Sequence, residues 1–221
     1  MDADRQTVRP PGSSIVLRPS SIGTPVNMQV DEELIRAVLA GETGRYAELV
    51  SRYQAAAWQL AYGFVGNWED ARDISQNAFV KAYRHLDRFR GRARFFTWFY
   101  RIILNECKDF CKGRDRRRVV QDPPERHEQD AVIFEVADPG QGPREAAASA
   151  ELGTRLTEAI RELPQREREA FLLHHVQGLK LEEVAQVMGR RTGTVKAHIF
   201  KATRALQRLL EPYWQEERRY A

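Results

Sequence analysis

From Asp31 onward the apolar residues recur at steps of three and four: Leu34, Ile35, Val38 and Leu39, then Tyr46, Leu49, Val50, Tyr53, Ala57, Leu60, Ala61 and Phe64. That spacing lines one face of a helix and predicts two of them, broken at Gly41 and Gly44. A third helix is predicted to start at Asn67 as N-cap, with Glu69 and Asp70 near the positive end of its dipole. Its buried face reads as Ala71, Ile74, Ala78, Phe79, Ala82 and Leu86, and it ends before Gly91. The fourth, over 94–112, is apolar around nearly its whole circumference, through Phe95, Phe96, Trp98, Phe99, Tyr100, Ile102, Ile103 and Leu104. Phe95, Phe99, Ile102 and Trp98 read as core, with Phe96 and Tyr100 open. Only Thr97, Arg101, Asn105, Lys108 and Lys112 form a polar strip, one row on one face that runs on into Arg114, Arg116, Arg117 and Arg118.

Two stretches lack this periodicity. Residues 1–28 are rich in Pro, Ser, Thr and Gly and are expected to form a disordered tail, because they cannot bury enough surface to offset their conformational entropy. Residues 119–150 turn acidic and carry Asp122-Pro123-Pro124 and Asp138-Pro139-Gly140-Gln141-Gly142-Pro143, which reads as a flexible linker. The chain therefore divides into a first helical domain over 29–118 and a second over 151–221. In the second, Leu152, Leu156, Ile160 and Leu163 stop at Pro164, and Ala170, Phe171, Leu172 and Val176 run up to Gly178. No strand-like alternation appears, so the fold class is all-α, two small domains joined by the linker.

Two short patterns close the second domain: Leu181, Val184, Ala185 and Met188, then Val195, Ile199, Ala202, Leu206 and Leu209, with Gly189 at the turn between them. This is the arrangement of a helix-turn-helix, whose second helix enters the major groove. Its free faces carry Thr194, Lys196, Ala197, His198, Lys201 and Arg204, able to reach phosphates and base edges. Arg190, Arg191 and Thr192 stand at the helix start, where side chains and free N–H groups hold a phosphate. An ordinary helical hairpin with solvated lysines shares the pattern; the Gly189 turn and the charge bias weigh against it.

Composition narrows the class. With 221 residues, 42% of them hydrophobic, the chain can build packed cores, and its 30% charged residues leave a net charge of only +4, a total that hides a local bunching of the basic ones. No run of apolar residues is long enough to span a membrane, and no apolar segment follows the N-terminal arginines, so a cytoplasmic protein without membrane insertion is expected. Cys107 and Cys111, four apart with no further Cys or His cluster, read as reduced structural thiols, and neither metal nor cofactor is expected. There is no Gly-rich phosphate loop and no Ser/His/Asp arrangement, and adjacent His174 and His175 make a poor ligand pair because they face different directions on a helix. An enzyme is not expected.

Both halves resemble the extracytoplasmic-function sigma factors of bacterial RNA polymerase, in their regions two and four. In the first half the resemblance rests on Asp70-Ala71-Arg72-Asp73-Ile74-Ser75-Gln76-Asn77-Ala78-Phe79, on Leu86-Asp87-Arg88-Phe89-Arg90-Gly91, and on Phe95-Phe96-Thr97-Trp98-Phe99-Tyr100-Arg101-Ile102. In the second it rests on Leu163-Pro164, the stretch from Phe171 to Gly178, Glu182-Glu183-Val184-Ala185, and Gly193-Thr194-Val195-Lys196 with Ile199-Phe200-Lys201-Ala202. Two motifs in the right order are stronger than either alone.

The resemblance implies a transcription initiation factor, active in regulation such as a stress response, that brings core RNA polymerase to promoters. It implies that Asp70, Asp73, Gln76, Asn77 and Lys81 grip the polymerase clamp, although Asn77 stands where most of the family has an acidic residue. The loop 89–94, with Phe89, Arg90, Arg92 and Arg94, resembles the loop that captures a flipped base of the minus-ten element. Asn105 matches a position contacting the same non-template strand, with Arg101, Lys108, Lys112, Arg114, Arg116 and Arg117 lining a basic groove for it. Arg190, Arg191, Thr192, Thr194, Lys196, His198, Lys201 and Arg204 are the candidates for duplex minus-thirty-five DNA. The implied partners are core polymerase, promoter DNA as duplex and as melted strand, and an anti-sigma factor of the kind often tethered to a membrane. A helix-turn-helix regulator that does not replace the sigma subunit is the alternative, and an all-α adaptor without a DNA role is a third. The absence of a strand-containing receiver pattern disfavours the first of these, and the basic strip the second.

Overall fold

The computed structural model describes residues 28–118, except residue 92, and 143–220; the side chains of 28, 115–118, 143–150, 214 and 216–220 lie outside it. Residues 1–27 of the expected tail and most of the expected linker thus fall outside the described residues, while Met28, counted with the tail, opens the first helix; Arg92 and the side chains of Arg116, Arg117 and Arg118 also fall outside. Every regular element among the described residues is helical: α1 (Met28–Leu39), α2 (Tyr46–Val65), α3 (Trp68–Arg84), α4 (Phe95–Arg118), α5 (Pro143–Glu162), α6 (Gln165–Phe171), α7 (Leu181–Met188) and α8 (Thr192–Tyr220). Short 3-10 turns sit at Thr43–Arg45 and Leu86–Arg88, and α6 runs on into a π-helical turn at Leu172–Val176.

The first four helices pack around α2. Leu49, Ala57, Leu60 and Ala61 of α2 are fully enclosed, and so are Ala71 and Ala78 of α3 and Phe99 and Ile103 of α4. Asn67 caps α3 as its sequence predicts, its side-chain oxygen accepting from the Asp70 amide at 2.9 Å. On α4 both residues that the pattern left open turn inward: Phe96 is 1% and Tyr100 6% exposed. Ile102 and Trp98, expected in the core, are only partly buried against it.

α5 begins at Pro143, within the stretch expected to be linker. Its first residues, Pro-Arg-Glu-Ala-Ala-Ala-Ser-Ala, combine proline at the first helical position with strong helix formers, and carry no large apolar side chain for a periodicity search to find. In α8 the buried row is Val195, Ala202, Leu206 and Leu210; Leu209, placed in the row by the sequence reading, is 40% exposed. The step after Leu206 is four rather than three, because a 3.6-residue turn drifts against any fixed repeat.

The two halves share one apolar core. α2, besides packing against α3, meets α5 and the π turn, and α4 packs against α7. Tyr62, Phe64 and Val65 at the end of α2 are buried as a result, although they point to more than one side of that helix.

Candidate polymerase and nucleic-acid interface

The α4 strip is where the geometry is richest. Thr97, which the pattern placed on the polar row, is fully buried with its hydroxyl lacking a hydrogen-bond partner, so the exposed row starts one turn later at Arg101. Asn105 and Lys112 are exposed, and Lys108 and Arg114 half-buried. The Arg101 guanidinium Nε lies 3.1 Å from the carbonyl oxygens of Gln186 and Val187, and its Nη2 donates to Gln186 as well. These are last-turn carbonyls of α7, the negative end of that helix dipole, where a cation is favoured. Lys108 Nζ stands 3.4 Å from Glu169, a carboxylate also held by Gln165 at 2.9 Å and Arg166 at 3.1 Å. Arg94 pairs with Glu183 at 2.9 Å, and the Tyr100 hydroxyl donates to Gln177 at 3.0 Å. Burial pushes the Tyr100 hydroxyl well above its usual pKa, so it is a donor at any physiological pH.

In the loop before α4, Arg90 is exposed while Phe89 rests on Phe95 and Trp98, with ring centroids 5.8 and 5.5 Å away. Phe89 is thus half-buried, a single aromatic ring at the edge of the core rather than inside it.

On α3, Asp73, Gln76, Asn77 and Lys81 are exposed and Asp70 is half-buried. The structure joins two of them to α4: Lys81 pairs with Glu106, and Arg114 reaches Asp70 at 3.9 Å. The same face carries Val80, 48% exposed, one turn beyond Gln76, with Tyr83 at 43% exposure near it. Sequence reasoning passed over both, since an apolar residue in a helical pattern is read as core. The signal available was that Val80 falls off the Ala71, Ile74, Ala78, Ala82 row.

The helix-turn-helix forms as its sequence predicts. Gly189 closes α7 in the left-handed region at φ +62, a conformation that favours glycine, and the chain enters α8 with the amides of Thr194 and Val195 donating to the Arg191 carbonyl at 2.9 and 3.1 Å. Arg190, Arg191, Thr194, Lys196, Lys201 and Arg204 are exposed, Thr192 and His198 half-buried. Thr194, His198 and Lys201 fall on one row of α8, and Lys196 and Arg204 on the adjacent row with Phe200 between them. Phe200 is 61% exposed with the Arg204 guanidinium 5.7 Å from its ring centre, an exposed aromatic not named among the expected site residues.

Residues 49–117 match the family model for sigma-70 region 2, and residues 154–206 that for sigma-70 region 4. The chain is 34% identical over 196 residues to the RNA polymerase sigma-H factor of Pseudomonas aeruginosa, covering 86% of this chain and 99% of that one. The chain belongs to the extracytoplasmic-function sigma factors. The sigma-E factor of Escherichia coli, of the same class, is likewise 34% identical, over 186 residues, 82% of this chain and 95% of its own. Among solved structures, CnrH in complex with the cytosolic domain of CnrY superposes with a TM-score of 0.60 at 25% identity, covering 83% of this chain and 98% of that one. The sigma factor RpoE of Bartonella quintana, solved with the anti-sigma factor NepR, shares the fold at a TM-score of 0.55 and 23% identity, over 75% of this chain and 96% of its own.

This sigma factor thus acts with RNA polymerase in transcription initiation and binds DNA. Among its described residues no group of His, Cys, Asp and Glu is placed to hold a metal ion, and no helix is long and apolar enough to cross a membrane. Cys107 is enclosed and burial raises its thiol far above the ordinary value, which leaves it a core residue rather than a nucleophile.

Proposed function

We propose that this sigma factor directs core polymerase to its promoters through three surfaces. α3, with Asp70, Asp73, Gln76, Asn77 and Lys81, holds the polymerase clamp, aided by the exposed Val80. The loop 89–94 and the α4 strip from Arg101 through Arg117 bind the melted non-template strand of the minus-ten element: Phe89, Arg90, Arg92 and Arg94 capture an unstacked base, while Asn105 and the cations Lys108, Lys112, Arg114 and Arg116 track the backbone. α8 reads duplex minus-thirty-five DNA, with Arg190, Arg191 and Thr192 on phosphate and Thr194, Lys196, His198, Lys201 and Arg204 toward the groove. The bubble opens by binding energy alone, because capture of unstacked bases shifts the duplex-to-bubble equilibrium. In this reading 29–118 serves polymerase and minus-ten binding, 151–221 serves minus-thirty-five binding, 119–150 links them, and the protein works in the cytoplasm.

The observation that carries the reading is the outer face of α8, where Lys196, Lys201 and Arg204 stand exposed beyond a Gly189 turn, Arg204 over the exposed ring of Phe200. An anti-sigma factor is the further partner we propose, since CnrH was solved with CnrY and RpoE with NepR. The test is promoter binding by the polymerase complex. Lys196→Ala and Lys201→Ala are each expected to weaken it and to lower the salt slope by about one per lost phosphate contact. Asn105→Ala is expected to impair bubble formation more than closed-complex binding. Unchanged transcription in the lysine variants, or equal loss of both steps in Asn105→Ala, contradicts the corresponding assignment.

A further inference from the structure

Phe200 is the most exposed large apolar side chain among the described residues, at 61%. It stands on α8 away from the buried row of Val195, Ala202, Leu206 and Leu210, so the core does not require it. One turn further along, Arg204 lies with its guanidinium 5.7 Å from the centre of the ring. The spacing puts the two side chains on one face, and the ring attracts the cation to its π face. That attraction engages the guanidinium as a charge. It leaves the fork of N–H donors free for the paired bonds that an arginine makes to phosphate.

The outward face of α8 continues past this pair. Ala197, Lys201, Arg204 and Arg208 follow at steps of four, three and four, all exposed, which sets them in one row. Glu211, three residues on, reverses the charge and ends the row. Arg208 lies beyond residue 206, where the match to the region 4 family model stops, and was not among the residues expected to touch DNA. Arg94, Lys108 and Arg114 each have a carboxylate within 4 Å. Among the described residues, neither Arg204 nor Arg208 pairs with one.

Position along the helix decides what these two arginines reach. A recognition helix meets base edges with its N-terminal residues. At 1.5 Å per residue, Phe200 stands about 12 Å along the axis from Thr192, Arg204 about 18 Å and Arg208 about 24 Å. The major groove is only about 12 Å wide. Arg204 and Arg208 therefore fall at the sugar-phosphate wall of the groove, past the turns that face the bases.

We propose that Phe200 is a positioning residue whose ring holds the Arg204 guanidinium toward a phosphate at the edge of the minus-thirty-five element, and that Arg208 holds a neighbouring phosphate. The proposal rests on the assignment of α8 to duplex DNA and assigns Arg204 to the backbone rather than to a base edge. A long side chain in water samples many rotamers, and ordering it costs binding energy. The ring orders Arg204 before the DNA arrives.

The test uses the full chain assembled with core polymerase, bound to a genomic promoter duplex from which it initiates, over a series of salt concentrations. Arg204→Ala and Arg208→Ala are each expected to lower the salt slope by about one, and to weaken binding by the same factor on every single-base variant of the minus-thirty-five element. Phe200→Ala is expected to weaken binding about threefold, the equivalent of one exposed cation–π contact, and Phe200→Tyr, which keeps the ring, to bind as wild type. Because Phe200 acts through Arg204, the double variant Phe200→Ala with Arg204→Ala is expected to bind no more weakly than Arg204→Ala alone. Losses that add in the double variant overturn the positioning role, since the ring then touches DNA itself. An altered base preference in Arg204→Ala overturns its assignment to phosphate, and an unchanged slope in Arg208→Ala overturns that contact. Lys201→Ala separates the two levels. If it lowers the slope while the arginine variants do not, this inference alone fails; if it also leaves the slope unchanged, the assignment of α8 to duplex DNA fails and takes this inference with it.

Discussion

Asp31 is a carboxylate with 1% exposure at the start of the protein's first helix, and it is held from two sides: the Tyr53 hydroxyl donates to it at 2.5 Å and the Arg52 Nε at 3.0 Å. Burial first, and the bond to Asp31 second, push the Tyr53 pKa far above its usual value, so the phenol stays protonated and the bond persists. This pair fastens α1 to α2, and Asp31→Ala is expected to lower stability by about 1.5–3 kcal/mol in urea unfolding, the range for hydrogen bonds to a charged group. A loss near zero contradicts the role. His175 is a second residue with a measurable signature. Its ring centre lies 4.7 Å from that of Phe171, tilted, and 4.8 Å from that of His174, edge-on, and burial, then the neighbouring imidazole, holds its pKa below the ordinary value. With the folded value depressed, the unfolded chain takes up the proton first as the pH falls. Stability is thus full above the ordinary imidazole range and declines as the pH drops through about 6.5 toward the lower folded value. Thermal melts between about pH 7.5 and 5.5 are expected to show a flatter decline in His175→Gln than in wild type; parallel curves contradict it.

At the scale of elements, the α7 to α8 turn depends on one backbone conformation. Gly189→Ala forces a Cβ into the left-handed region at φ +62, with no steric neighbour to add to the cost, so a loss of about 1 kcal/mol is expected from backbone strain alone. Thermal unfolding measures it, and an unchanged midpoint would mean that the turn relaxes. This turn was legible beforehand because glycine between two apolar rows has one physical use. The Asn67 cap was legible for the same kind of reason. The start of α5 was not, because an alanine-rich segment is helical by propensity without displaying a face, and a search for periodicity sees only faces. Thr97 and Leu209 were misplaced for two reasons: Thr97 is enclosed because a helix in contact on several sides buries more than the one stripe that the spacing marks, and Leu209 is exposed because the buried row drifts to Leu210.

Across the whole molecule, a sequence pattern tells which residues are buried but not which partner buries them. The two halves and the helix-turn-helix could be read from spacing and from their likeness to a family. The covering of the α4 strip could not, because Arg101, Lys108 and Arg94 meet residues more than sixty positions away, and a strip of cations reads alike whether it faces solvent, DNA or Glu169 and Glu183. Gly63 carried the one local hint, a glycine inside a strongly patterned helix, where Leu172 of the second half packs in the space of the missing Cβ. The packed halves account for a single continuous core among the described residues and for the burial of Phe64 and Val65 at the end of α2.

The central claim is that this chain supplies promoter recognition to RNA polymerase through its two DNA-facing surfaces. Reconstituted transcription tests it most directly: the purified protein is added to sigma-free core polymerase and initiation is mapped across genomic DNA fragments. The account predicts initiation at a discrete set of start sites, each preceded by shared minus-ten and minus-thirty-five sequences. Duplex binding by the protein alone with no initiation would contradict it, and would require the assignment of Asp70, Asp73, Gln76, Asn77 and Lys81 to the polymerase clamp to be given up.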